Sequence, residues 1–309
     1  MVNYKKVLFS ILSIFIGLVF ILSAISKLPS LEQFGWTIVE TTFLNWTFAE
    51  WSARLLIGCE LFIGFLFVFH LKRKQIAIPF SLILLVVFSI YLALVWNHYG
   101  GDGNCGCFGE LIPMTPSQSI IKNLILIALI VLLSKKMSDI QIKRINLFTT
   151  IILLISALAP FIWLPPESIY LTQKDATIQK PISLSLLYQS KINKAPVIEL
   201  RKGKHIISFM SLTCSFCRKA AKRLRIMKLK YPELPFFLIL NGDPSKLDEF
   251  WKDTKANNID FVMFNGATEF TMMNDGNSLP TIKWVNDTTV VRESNYLNLD
   301  ENEILEWIK

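Results

Sequence analysis

Apolar residues crowd the first half of the chain. Five stretches, roughly 7–26, 51–70, 76–96, 118–134 and 147–164, carry few charges. Each is long enough, or nearly so, to cross about 30 Å of hydrocarbon at 1.5 Å per residue. The pattern therefore predicts five membrane helices. Lys5 and Lys6 precede the first run as in a signal peptide, but no small-x-small cleavage site follows, so the run is read as a retained span. Thr115-Pro116-Ser117-Gln118 has the form of a capping box with proline at the first helical position, which starts the fourth span.

After Pro165-Pro166 the pattern changes to that of a water-soluble α/β domain. "APVIEL" and "KHIISFMSL" read as strands, the second almost wholly apolar and therefore central. "TCSFCRKAAKRLRIMKLK" reads as a basic helix and "LPFFLILNG" as a buried strand. "DPSKLDEFWKDTKAN" is a helix opened by Asp243 and Pro244, and "IDFVMF" a short strand. "LPTIKWVNDTTVVRE" is a hairpin turning at Asn286-Asp287, and the terminal helix is capped by Asp300. The fold class is thus multi-domain: an α-helical membrane bundle followed by an α/β domain. The expected boundaries are 1–135 for a four-helix core, 136–165 for a fifth span, 166–194 for a polar linker and 195–309 for the α/β domain.

Composition supports the division. The 309 residues are 52% hydrophobic with a formal charge of +8 and a mean hydropathy of +0.44, high for a wholly soluble chain. From 165 onward there are 20 basic and 17 acidic residues, a net of +3. The rest of the excess sits in short loops beside the spans, and no nucleic-acid motif accompanies it. Lys5, Lys6, Lys72, Arg73, Lys74, Lys135, Lys136, Lys143 and Arg144 all fall on one side of the expected membrane. By the positive-inside rule that side is cytoplasmic, which puts the loop 97–117 and everything after the fifth span outside. Trp36, Trp46, Trp51, Trp96 and Trp163 fall near the outer interface, where amphipathic rings prefer to sit. The partners implied are membrane lipid and extracytoplasmic protein thiols or disulfides, with no nucleic acid.

Five cysteines form two close pairs and one single: Cys105 and Cys107, Cys214 and Cys217, and Cys59. Such spacing points to redox or metal chemistry rather than a disulfide scaffold. A Cys-x-Cys disulfide closes a small, strained ring that is easily reduced, and Gly106 supplies the permissive backbone it needs. The reading is a redox-active dithiol on the membrane surface. A static disulfide and a metal site built from His98, Asp102, Cys105 and Cys107 are the alternatives, although the spacing matches no strong zinc pattern. Both pairs lie on the expected outer face, where disulfides persist. Within the second span, Arg54, Cys59 and Glu60 are unusual. An intramembrane charge faces a bundle interior or a partner. Glu60 is placed to pair with Lys27 or Lys122, or to hold a proton beside a redox centre. Cys59 reads as a small core residue.

"CGCFGELIPMTPSQSIIKNLILIALIVLL", "GLVFILSAISKLPSLEQF" and "LLIGCELFIGFLF" resemble the MauE/DoxX-like redox membrane proteins, named for methylamine utilisation, over residues 5–135. The resemblance implies a four-helix bundle that helps form or transfer disulfides together with a thioredoxin-like partner. Residues 195–309 resemble the thioredoxin fold, on the strand before Cys214-x-x-Cys217 and on Leu279-Pro280-Thr281. That resemblance implies a cis Pro280 beside the dithiol. Cys214 is then the nucleophile at a helix N-terminus, where the dipole favours thiolate, with Arg218, Lys219 and Lys222 adding positive field. Cys217 resolves the mixed disulfide. The chain departs from that family at Thr213, where tryptophan is common, and at Ser208, where a buried aspartate is usual. Neither Ser215 nor Phe216 is proline.

The fusion of the two halves is similar to bacterial vitamin K epoxide reductase homologues joined to thioredoxin domains, which implies a quinone as terminal acceptor. The expected function is a thiol-disulfide relay between the two cysteine pairs. A reductase or isomerase fed by another donor, and a tethered metal-delivery module, are the competing readings.

Overall fold

The computed structural model describes residues 4–42, 44–100, 114–135, 144–166, 176–189 and 193–309. Cys105, Cys107 and Asp102 lie outside them. The chain divides into two compact units, Met1–Pro166 and Glu167–Lys309.

Among its described residues the first unit has only helices as regular elements: α1 (Tyr4–Lys27), α2 (Leu31–Thr41), α3 (Trp46–Val68), α4 (Ile78–Tyr99), α5 (Pro116–Ser134) and α6 (Ile145–Trp163), with a π-helical turn at Arg73–Ala77 leading into α4. Among the described residues, five of these helices are long and apolar enough to cross a membrane: α1, α3, α4, α5 and α6. The side chains sort by face. Ile16, Phe20, Phe62, Ile63, Leu66, Phe67, Leu126 and Ile130 form a shared core. Leu8, Ile11, Phe15, Leu18 and Leu22 of α1 stay exposed, as a lipid-facing stripe requires. The caps match the sequence. The Asn45 side chain accepts from Phe48 N at the start of α3, and Thr115 with Gln118 forms the full capping box of α5.

Small residues decide how closely α3 meets its neighbours. A Cβ on Gly17 would lie 2.6 Å from Gly64 O, and one on Gly58 would lie 2.8 Å from Ser156 O. Backbones therefore touch at the α1/α3 and α3/α6 crossings, which only glycine allows. Arg54, unusual within a span, crosses to the end of α6. Its guanidinium donates to Leu164 O at 2.7 Å and Pro165 O at 3.0 Å. These carbonyls are among those left over at a helix C-terminus. The short amphipathic α2 was not anticipated.

The second unit is an α/β domain. Its strands are β1 (Ala176–Pro181), β2 (Lys204–Ser211), β3 (Phe236–Asn241), β4 (Asp260–Met263), β5 (Thr281–Asn286) and β6 (Thr289–Ser294). The helices are α7 (Ser185–Gln189), α8 (Ser215–Lys230), α9 (Leu247–Thr254), α10 (Ala267–Met273) and α11 (Glu301–Ile308). One six-stranded sheet runs β1-β6-β5-β2-β3-β4. β2, β3 and β4 are parallel, whereas β5, β6 and β1 are antiparallel. The strand–helix–strand unit β2-α8-β3 next to the β5-β6 hairpin is the thioredoxin-like core. β2 is buried on both faces: Ile207 and Phe209 join the cluster with Phe237, Ile239 and Val285, and Ile206 and Met210 are buried opposite. Such a two-faced strand reads as a continuous apolar run, as it does in "KHIISFMSL".

Two expectations need correction. "APVIEL" is not a strand; Tyr188 Oη holds this segment by donating to Ile198 O at 2.9 Å and accepting from Leu200 N at 2.8 Å. The sheet instead begins inside the stretch read as linker, where β1 pairs along β6. β1 is an edge strand of sequence ATIQKP, too polar to show strand periodicity.

Candidate active site

β2 ends at Ser211, and its parallel crossover to β3 must begin there. Cys214 stands at the N-cap of α8, with φ −78° and ψ 121°. Its Sγ accepts the Cys217 amide at 3.3 Å, one of the orphan donors that every helix start carries. Its carbonyl takes the first helical bond, from Arg218 N at 3.1 Å. Three residues on, Cys217 lies one turn into the helix and fully buried; its Sγ receives the Ser211 amide at 3.4 Å. Both are free thiols in the structure. The two sulfurs differ in surroundings. Burial, with the hydrogen bond to Cys214, pushes the Cys217 thiol far above the usual range, the Ser211 amide opposing only in part. Cys214 is partly exposed.

β5 closes the site. The Leu279–Pro280 peptide is cis, and Leu279 O lies 3.9 Å from Cys214 Sγ as a weak acceptor. Phe216, between the cysteines, is 56% exposed, with Lys219 Nζ 5.8 Å from its ring centre.

Two of the three cations expected to supply a positive field are paired with carboxylates. Arg218 pairs with Glu249 at 3.1 Å and Asp253 at 3.4 Å, and Lys222 pairs with Asp253 at 2.6 Å. These α9 carboxylates were missed by sequence reading, because nothing in the local pattern of α9 points toward α8. Lys219 stays beside Phe216, and the helix terminus itself faces Cys214. Ser208 is fully buried, and its hydroxyl has no hydrogen-bond partner among the described residues.

In the membrane unit, Glu60 meets Lys27. Lys27 Nζ donates to Glu60 Oε2 at 2.7 Å and Oε1 at 2.9 Å, and to Ser23 Oγ at 2.6 Å. Ser23 in turn donates to Glu60 at 3.3 Å. Lys122 and Asn123 line the same narrow cleft. Of the two partners open to Glu60, Lys27 makes the direct bond. Cys59 is half-buried beside it in sequence, with no second described cysteine bonded to it. Among the described residues, no three His, Cys, Asp or Glu side chains come together as a metal site.

Five apolar spans together with a thioredoxin-like domain carrying a helix-capping Cys-x-x-Cys beside a cis-proline define a class: this is a multi-pass membrane thiol-disulfide oxidoreductase. The family model for methylamine utilisation protein MauE matches residues 5–135. Protein TlpB of Flavobacterium psychrophilum is 30% identical, the alignment covering 88% of this chain and 87% of that protein, and the chain belongs to the TlpB family. Two solved structures are also similar. A secreted disulfide oxidoreductase of Mycobacterium tuberculosis has 15% identity over 34% of this chain and 80% of its own, with a TM-score of 0.28. The thioredoxin domain of a thiol-disulfide oxidoreductase from Bacteroides vulgatus has 13% identity over 36% and 82%, with a TM-score of 0.30.

Proposed function

We propose that the chain relays disulfides on the extracytoplasmic side of the membrane between the Cys105–Cys107 pair and the Cys214–Cys217 pair, the latter acting on secreted proteins. The observation that carries this reading is the asymmetry of the second pair. Cys214 is partly exposed and its sulfur accepts a helix-terminal amide, which places it as the attacking sulfur. Cys217 is buried behind it and stays protonated until a mixed disulfide needs resolving.

In the exchange, Cys214 thiolate attacks one sulfur of a disulfide and releases the other as thiolate. Cys217 then loses its proton and attacks Cys214 Sγ, releasing the second thiol. Two thiols are oxidised and one disulfide is reduced, with two electrons and two protons transferred. The outer placement rests on the distribution of lysine and arginine among the loops. Carrying both pairs on one chain gives effective concentrations on the order of millimolar when the linker spans the gap.

The test is a Cys217→Ser chain purified from non-reducing cells, its disulfides mapped by mass spectrometry. Without the resolving thiol, Cys214 is expected to be trapped on Cys105 or Cys107. Capture of other proteins or small thiols only, with Cys105 and Cys107 never linked to Cys214, would overturn the relay.

A further inference from the structure

The segment between α10 and β5, residues 274–280, ends in the cis-proline and carries the Leu279 carbonyl that faces Cys214. It is tied down by side chains. Lys283, on β5 and fully buried, reaches back to Asp275 at 2.5 Å and across to Glu293 of β6 at 3.1 Å, with the Phe209 ring 5.9 Å away. Asp275, in a left-handed conformation at φ 59°, also takes Lys180 of β1 at 2.6 Å. Asn277 donates to Glu293 at 3.3 Å, and Asn274 donates to Asn277 O at 2.7 Å. Three strands thus hold one loop, and the one fully buried charge among these ties is Lys283.

A buried ammonium is costly unless its partners are fixed. Its presence beside the apolar Phe209, Val285 and Val290 calls for a reason beyond packing. Thr281, on the same strand, hydrogen-bonds Ser278 O at 2.8 Å, so the loop is also tied from within β5. The register places Lys283 opposite Ile207 and Thr281 opposite Phe209 on β2, the strand that leads to Cys214. A shift of Lys283 or Asp275 is therefore passed to Leu279 over four residues of restrained backbone.

We infer that Lys283 is a positioning residue: through Asp275 and Glu293 it sets the place of the Leu279 carbonyl against Cys214 Sγ, and so tunes the reactivity of that thiol. The inference rests on Cys214 being the attacking thiol. The Leu279 carbonyl accepts from Cys214 Sγ and so engages the sulfur that must attack. Releasing the loop removes that contact and frees the sulfur.

The experiment measures the rate at which iodoacetamide alkylates Cys214 at pH 6 in the full-length protein, read by mass spectrometry, with folding checked by circular dichroism. Lys283→Met is expected to react about threefold faster than the native chain, what a weak hydrogen bond to the thiol is worth. Asp275→Asn, which keeps the buried amine paired with Glu293, is expected to lie between the two. It carries the test if Lys283→Met does not fold. Lys180→Met, which removes only the outer partner of Asp275, is expected to match the native rate. Folded Lys283→Met and Asp275→Asn proteins that alkylate at the native rate, with only their melting temperature lowered, would reduce Lys283 to a structural tie and overturn the proposal. Alkylation needs no second cysteine pair, so failure of the relay leaves this result readable.

Discussion

Replacing Glu60 by Leu removes the counter-charge of Lys27, whose side chain is 0% exposed, in a site where Glu60 itself is only 7% exposed. The ammonium keeps its bonds to Ser23 Oγ and Ser23 O but faces an apolar side chain. Breaking a buried pair from one side costs about 3–5 kcal/mol, whereas replacing both members by apolar groups is often neutral or stabilising. A neutral hydrogen bond between membrane helices averages only about 0.6 kcal/mol, so the two descriptions of this contact differ severalfold. Equilibrium unfolding of the chain in mixed micelles, run as a cycle of Lys27→Met, Glu60→Leu and the double variant, separates them. Each single variant is expected to lose at least about 3 kcal/mol, a hundredfold or more in the unfolding constant. The double variant is expected to recover most of that loss. Single losses near 0.6 kcal/mol that simply add in the double variant would refute the argument that this pair ties α1 to α3. The double variant also separates the two roles open to Glu60: if it is stable and still exchanges disulfides, the carboxylate is structural and carries no required proton.

Burial holds the Cys217 thiol protonated, so brief iodoacetamide treatment of the reduced chain at pH 8 should label Cys214 and spare Cys217; equal labelling in a peptide map would contradict the asymmetry. Asp275 and Asp253 titrate below the ordinary carboxylate value: burial pushes each up, but Lys180 and Lys283 around the first, and Lys222 and Arg218 around the second, outweigh it. The unfolded chain therefore binds more protons near pH 4. The stabilisation is complete above about pH 5 and lost as pH falls through the lower folded values. Urea unfolding followed by tryptophan fluorescence at pH 7, 5 and 3 should show that loss, and Asp275→Asn should flatten it. Gly17→Ala puts a methyl 2.6 Å from Gly64 O and 2.7 Å from Val68 Cγ2. It is expected to cost about 1–3 kcal/mol of bundle stability in the same micelle assay, and an unchanged unfolding midpoint would mean the crossing is looser than described.

The sequence by itself determined what depends on neighbours along the chain. Apolar run length marks α1, α3, α4, α5 and α6, and Thr115 with Gln118 announces the start of α5. The apolar run of β2 followed by Cys-x-x-Cys places both sulfurs at the head of α8, because one helical turn is a fixed number of residues. Leu-Pro-Thr marks the entry to β5. The tertiary structure decided every choice of partner. Glu60 had two lysines within reach, and the crossing of α1 over α3 put Lys27 in direct hydrogen-bond contact, with Lys122 in the same cleft. Arg54 was six residues from Glu60, a poor helical spacing, and turned to the end of α6 instead. Arg218 and Lys222 read as a field for Cys214 until α9 set Glu249 and Asp253 against them. β1 became a strand only because β6 offered it an edge. The physical reason is the same in each case. Periodicity and capping act within a few residues, whereas an ion pair or an edge pairing depends on which distant surface comes within about 3 Å. Lys283 shows the division most plainly: in sequence it is one charge in a hairpin, and in the folded domain it is a buried tie between three strands and the loop that faces the thiol.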